Sequence, residues 1–402
     1  MTRSTQQGNT RDSLNFKDLP KLVRDVRFWN IAGQVIAVVL VVSVVAIFAD
    51  NLIYNLWRLG IELGFGFLNN QASFDIGERL IAYSPSDTFA RAIVVGLLNS
   101  LRAIALGLIL ATTIGLIVGI ARLSDNWLVR NLALVYVEVF RNMPLLLQLF
   151  FWYFAVFLKL PPVEERITFA NAIVLSQRGV VVPWLTGNAA TGIWVLLLAI
   201  GIVGAAWVWR WRSRIMVEQG RPGRQVLWAT GAIAIAVLLA LIITRREPFV
   251  LSLPQENNGA IEGGLRLSPE LCALIAGLVF YTGSFIAEIV RAGIQSVPKG
   301  QWEAAKALGL RGNPTMRLVI LPQALRVIIP PLTSQYLNLA KNSSLAIAIG
   351  FPDLYFVAST TFNQTGRAVE VMFLLAITYL TISLTISSVM NIINSKVQLK
   401  ER

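Results

Sequence analysis

No histidine occurs in the 402 residues, and cysteine occurs once. The first absence removes imidazole metal sites and the Ser-His-Asp and Cys-His forms of nucleophilic catalysis. The second leaves Cys272 without an internal disulfide partner and the chain without a thiolate cluster. Its place between Leu271 and Ala273, at the start of an apolar run, suits a small buried hydrophobe. Charge is scarce too: Asp, Glu, Lys and Arg make up 14% of the chain, against about 25% in soluble domains. That deficit excludes an ordinary soluble enzyme and a disordered tail. No G-x-x-x-x-G-K-[ST] sequence is present, so the chain carries no P-loop for a nucleotide.

What is present is apolar sequence, 55% of the residues. A bilayer core needs about 20 mainly apolar residues per helix, and eight runs qualify: about 31–49, 92–120, 132–158, 191–209, 226–244, 270–290, 327–349 and 369–392. Backbone polar groups must be paired in lipid, so runs of this length read as helices. The predicted class is an all-α, polytopic membrane protein. The first run follows a 30-residue leader and is longer than a signal-peptide core, so a retained membrane helix is expected. The net charge of +13 does not point to nucleic acid, because the basic residues are not gathered on one soluble module. With the N-terminus placed inside, Lys and Arg favour the inside segments by about two to one, which predicts that both termini face the cytoplasm.

Outside the spans, residues 51–80 mix Leu52, Trp57, Phe65 and Phe67 with Gly and Asn, as expected of a segment on the outer interface. The 210–225 loop opens with Arg210-Trp211-Arg212, a basic and aromatic cluster suited to headgroup anchoring. The inside loop 291–326 has an ordered pattern. Val297-Pro298-Lys299-Gly300 reads as a turn, Gln301 to Leu308 as a short helix of good helix formers, and Gly309 as its left-handed cap. Arg311-Gly312-Asn313-Pro314 makes a second break, and a new helix starting at Pro314 is expected to be interrupted at Pro322. Ala304 and Ala305 leave a shallow surface for a partner, and Glu303 and Lys306 offer charges three residues apart. A docking surface on a chain with no energy source of its own suggests an attached motor.

Glu303-Ala304-Ala305, three residues, Gly309, nine residues, Val319, one residue, Leu321-Pro322 resembles the EAA loop of ABC-importer permeases, with Val319 where the family usually has Ile. Ala287-Glu288-Ile289-Val290-Arg291 and Pro298-Lys299-Gly300-Gln301 resemble the polar amino acid (histidine/glutamine) branch of that family. So do Tyr136 to Pro144 (YVEVFRNMP) and Lys341-Asn342-Ser343-Ser344-Leu345. The resemblance covers about 92–158 and 270–395. It implies a type I importer permease fold with a five-helix core, and a layout similar to the larger permease of general L-amino-acid or glutamate/glutamine/aspartate/asparagine importers. The expected organisation is a cytoplasmic tail (1–30), an accessory helix with an outer segment (31–91) and a permease domain (92–402). A helix pair is inserted in that domain at about 160–268, and the coupling loop is 297–322.

The resemblance also implies the working parts. Glu303, Ala304, Ala305, Gly309, Leu321 and Pro322 would engage an ATPase. That separate subunit, in two copies, would hold ATP and Mg; no cofactor and no metal is expected on this chain. A second homologous permease and a periplasmic amino-acid-binding protein complete the set, with an L-amino acid as cargo, in a bacterial inner membrane. Landing surfaces for the binding protein are expected on 51–91, 159–190 and 245–269.

Ionisable residues at mid-membrane cost about 2.5–3.5 kcal/mol each on insertion scales and so need a reason. Lys341, among Asn338, Asn342, Ser343 and Ser344, suits either a polar patch that meets a substrate carboxylate or a lysine snorkelling to the outer interface. Arg102 suits a substrate contact or a pairing between helices. Glu138 and Arg141 share a helix face and predict an ion pair that fixes a gate or subunit contact; Glu288 and Arg291 predict a similar pair supporting the loop. Pro144 permits a kink, Pro330-Pro331 would disturb the seventh span, and Gly107, Gly115 and Gly119 predict close helix packing. Two other classes compete. A self-sufficient secondary transporter or channel should show an internal repeat, which is not evident here, and a membrane-bound sensor should carry a soluble output domain.

Overall fold

The structure, a computed structural model, describes residues 26–58, 60, 63–170, 172–219, 224–257 and 260–398. Most of the expected cytoplasmic tail lies outside the described residues. The chain divides into a unit ending at Gly66 and a second unit from Phe67 onward. The first unit is built on α1 (Val26–Arg58), a 33-residue helix that outruns the predicted 31–49 at both ends. Among the described residues, seven helices are long and apolar enough to cross a membrane, or eight if a bent pair counts as one span.

In the second unit the long helices are α2 (Phe89–Ala121), the bent pair α3 (Trp127–Asn142) and α4 (Leu145–Lys159), α5 (Thr191–Gln219), α6 (Gln225–Thr244), α7 (Pro269–Gln295), α9 (Asn313–Ile349) and α11 (Ala368–Val397). The short helices α8 (Lys299–Ala307) and α10 (Leu354–Thr365) lie between them. The core forms where α2, α7 and α9 meet, around Ala103, Ile104, Leu274, Leu278, Ile286, Ile328 and Leu339. Glycine allows this contact: a Cβ on Gly115 would lie 2.5 Å from Cβ of Ile286, and one on Gly119 would lie 2.8 Å from the carbonyl oxygen of Ala287.

Four expectations change. The predicted span 132–158 is not one helix, because α3 and α4 meet at 107°. Pro144 has no N–H for the carbonyl of Phe140 and holds Met143 in an extended conformation (φ −98°, ψ 129°). The freed carbonyls are recovered by the buried amide of Gln148, which donates to Phe140 O (2.9 Å) and Met143 O (3.0 Å). Both arms then stack on Phe280 of α7, Phe140 at 5.2 Å and Trp152 at 5.1 Å between ring centroids.

Pro322, second, does not interrupt its helix. The backbone widens into a π-turn over Met316–Ile320 just before it and runs on as helix, which makes room for the ring against the preceding turn. The same helix passes through Pro330 and Pro331 without a break, with the Thr333 hydroxyl donating to Ile329 O (3.0 Å).

Third, only part of 51–80 is available to an interface. Residues up to Arg58 continue α1, whereas Phe67, Ala72 and Ile76 are buried. The 67–88 segment folds within its own unit, with Tyr83 donating to Phe74 O (2.8 Å). Burial, then the carboxylates of Asp87 and Asp75, raise the Tyr83 pKa above that of an ordinary phenol.

Finally, the loops flanking α5 and α6 contain strands that hydropathy alone did not reveal. β1 (Ile167–Phe169), β2 (Ile173–Ser176) and β3 (Gly179–Val182) form an antiparallel sheet closed by β8 (Leu265–Leu267). β4 (Trp184–Gly187) pairs with β5 (Phe249–Ser252), and β6 (Gln255–Asn257) with β7 (Ala260–Glu262). Beyond the sheet, α5 and α6 pack on each other through Trp194 and Ala240. At the far end of that pair, Arg212 lies 4.7 Å over the Trp228 ring and Trp207 stacks on Trp211, so the predicted basic and aromatic cluster is formed by both helices.

Replacing Gln148 by Leu keeps the volume but leaves two carbonyls without a donor. The expected cost is about 1–3 kcal/mol, seen as a lower thermal midpoint of the detergent-purified protein; an unchanged midpoint would show that the bend holds without the amide.

Candidate functional site

The 297–322 loop places its residues on two faces. Helix α8 ends in a complete Schellman motif: Gly309 is left-handed (φ +74°), its N–H donates to Lys306 O (2.9 Å), and that of Leu310 donates to Ala305 O (3.0 Å). This closure buries Ala305 while leaving Glu303, Ala304, Lys306 and Leu308 exposed. The expected shallow surface is therefore offered by Ala304, whereas Ala305 packs inward. Trp302 and Val319 lean on the core and seat the loop against the helices. Leu321 and Pro322 are exposed at the start of the next straight helical segment. Glu303 and Lys306 form no ion pair with any described residue.

Behind the loop, Glu288 of α7 accepts from two arginines. One is Arg291, the predicted partner; the other is Arg122, just past α2. All three side chains are largely buried. The carboxylate thus ties the C-terminal ends of the closely packed α2 and α7 to the point where the 297–322 loop departs. Arg122 lay outside the sequence reading because its partner is 166 positions away.

The predicted Glu138–Arg141 pair is not formed among the described residues. Glu138 instead accepts from the Asn142 amide (3.1 Å), one helical turn on, and Arg141 turns to the face of Phe285 on α7, 5.3 Å from its centroid. Asn142 lies at the end of α3, where its amide also takes up the Glu138 carbonyl (2.8 Å), and this competes successfully for the carboxylate.

The polar run near the C-terminal end of α9 also divides. Lys341 is exposed, Asn342 and Ser344 are half-buried, and Ser343 is fully buried with its hydroxyl donating to Ala340 O (2.8 Å). Ser344 donates to Lys341 O (2.8 Å). The four residues do not share one open surface.

Arg102 is held elsewhere, by a carboxylate of the 67–88 segment. Its Nη1 lies 2.6 Å from Oε1 of Glu78, with both side chains nearly buried. The neighbouring turn of α2 anchors the same region. Asn99 donates to the carbonyls of Glu78 (2.7 Å) and Pro352 (2.9 Å), and Ser100 accepts from Leu354 N–H (2.9 Å). The ion pair lines a cavity of about 480 Å³ that also reaches Arg178, Arg266 and Glu270. Nη2 of Arg102 and Oε2 of Glu78 are buried without a hydrogen-bond partner. Such orphaned groups cost about 1–3 kcal/mol each.

The model of the family described as binding-protein-dependent transport system inner membrane component matches residues 220–399. Over nearly the whole chain, similarity is to the general L-amino acid transport system permease protein AapQ of Rhizobium johnstonii, 45% identical over 94% of both chains. The chain belongs to this permease family. Its similarity extends to the putative amino-acid ABC transporter permease protein YhdX of Escherichia coli, 43% identical over 99% of this chain and all of that one. It extends also to the glutamate/glutamine/aspartate/asparagine transport system permease protein BztB of Rhodobacter capsulatus, 42% identical over 96% and 97%. The permease is an inner-membrane component, and the fold is the helical one that the EAA-like loop implied.

In the permease, Glu288→Gln keeps the shape but not the charge that holds two arginines. It should destabilise the purified protein by about 1–3 kcal/mol, and Arg122→Gln added in that background should cost little more. Full additivity of the two changes would mean that they do not act through one contact.

Proposed function

We propose that this permease forms half of the translocation path of an L-amino acid importer and is driven by ATPase subunits docked at α8. The observation that carries the reading is the exposed Glu303–Ala304–Leu308 face, capped rigidly by Gly309 and seated on the core through Trp302. The sequence carries no P-loop motif, which supports force arriving from another subunit through a surface of this kind. Two copies of a P-loop ATPase, each binding ATP and Mg, grip this permease and a second, homologous one. A periplasmic binding protein delivers the cargo to the outer side. The printed substrates of the relatives, general L-amino acids and glutamate, glutamine, aspartate and asparagine, support an amino acid as that cargo.

In this arrangement both termini face the cytoplasm, as the Lys and Arg bias supports. Residues 92–402 are the translocation domain, and the strand-flanked pair α5–α6 is an insertion in it. Closure of the ATPases moves α8, and the Glu288 cluster carries that displacement to α2 and α7. Access then alternates between the two sides of the membrane. Lys341, Asn342 and Ser344 offer polar contacts to the cargo on the way through, with Ser343 turned into the packing beside them.

Glu303→Lys and Gly309→Pro should abolish ATP turnover stimulated by loaded binding protein while leaving membrane insertion and yield intact. Retained stimulation in either variant would contradict docking at α8. Lys341→Ala should reduce uptake at least tenfold in a complex that still assembles; normal uptake would take Lys341 off the path.

A further inference from the structure

The outer cavity carries charge of both signs at two depths. At its floor is the Arg102–Glu78 pair, on a residue thirteen positions into α2 and so roughly 20 Å along that helix from its outer end. Toward solvent are exposed Arg178, from the turn between β2 and β3, and exposed Arg266, on β8. Glu270, in the first turn of α7, accepts from the Tyr153 hydroxyl (2.9 Å). Arg178 belongs to no ion pair among the described residues, and Arg266 donates to Ile261 O at 3.3 Å. The inserted strands and the helical core therefore line one concave site, with a volume inside the range of about 300–1,000 Å³ usual for small molecules.

The floor pair is one hydrogen bond short on each side, at Arg102 Nη2 and Glu78 Oε2. A simple anion entering the cavity would meet Glu78, Glu270 and Asp75, the last paired with Arg79. A simple cation would meet Arg102, Arg178, Arg266 and Arg79. A ligand that carries a carboxylate and an ammonium on the same carbon satisfies both partners. It can part the pair by giving its carboxylate to the guanidinium and its ammonium to the carboxylate, so that one charged contact becomes two without adding net charge to a poorly solvated place.

We infer that this cavity is an entry site for the α-amino and α-carboxylate groups of an amino acid, with Arg102 and Glu78 as its receptor and Arg178 and Arg266 guiding the carboxylate inward. The inference rests on the importer reading above. Because only the groups common to all amino acids are read at the floor, the site is indifferent to the side chain. The Asn99 amide, which holds the carbonyls of Glu78 and Pro352 together, links any movement of Glu78 to the backbone between α9 and α10.

The test uses the complete importer in proteoliposomes, with binding protein outside and ATP inside, and ¹⁴C-labelled L-glutamine, L-glutamate, L-leucine and L-arginine as probes. The double variant Arg102→Gln/Glu78→Gln keeps a polar pair of similar size. It should lower uptake at least tenfold for every probe that the unaltered importer carries. Arg178→Gln, at an exposed turn where folding is not at stake, should lower uptake at least threefold for the same probes. The exchanged pair Arg102→Glu/Glu78→Arg restores the ion pair but reverses its polarity, and should remain defective. Uptake within twofold of normal in the double amide variant or in Arg178→Gln, or full recovery in the exchanged pair, would overturn the site and leave the importer reading standing. If the unaltered importer carries none of the probes on ATP, the importer reading fails and this inference with it.

Discussion

A backbone carbonyl that loses its donor inside a bilayer has no water to turn to, and much of this structure follows from how such losses are met. Pro144 strands the Phe140 carbonyl, and the Gln148 amide reaches back to accept the role of the missing N–H. That one substitution of side chain for backbone fixes the bend between α3 and α4 and brings two sets of rings onto Phe280. At Pro322 the solution is different: the helix loosens into a π-turn and continues. At Glu78 and Pro352, where irregular backbone lies against α2, the Asn99 amide takes two carbonyls at once. Non-helical chain is tolerated there because it is buried in protein and borders a polar cavity.

Charge obeys the same economy of pairing. Arg102 reaches Glu78 and Arg122 reaches Glu288, each partner far along the chain, while Arg141 settles over an aromatic ring. Arg102 stands thirteen positions into α2 and borders the cavity, whereas Arg122 stands just past the C-terminal end of that helix, beside the residues where the 297–322 loop departs from α7. A single rigid helix, packed through Gly115 and Gly119 on α7, therefore spans the distance between the place where cargo is proposed to enter and the place where force is proposed to be applied.

The sequence was most readable where the signal is local. Hydropathy located the long helices, because about 20 apolar residues in a row have few alternatives, and the spacing from Glu303 to Pro322 located the loop and the left-handed cap at Gly309. It was least readable where local options compete. Glu138 had Arg141 three residues away and Asn142 four away, both on its face, and only the end of α3 decided between them. Pro322 and Pro144 are the same residue with opposite outcomes, since one finds a widened turn and the other a turned chain and a rescuing amide. The strands around Ile173 and Val180 are too short for a period to register, and the pairing of Arg102 with Glu78 depends on a segment whose folding leaves no pattern of its own.

The ladder between β3 and β8 matches Val180 with Leu267 and Val182 with Leu265. Everything between them, including both helices of the α5–α6 pair, departs and returns across the gap between two neighbouring strands, about 5 Å. A detour with coincident ends imposes no displacement on the chain before or after it. The α5–α6 pair can therefore be longer or shorter without moving α4 or α7, because the strand ladder alone sets where the chain leaves and where it returns.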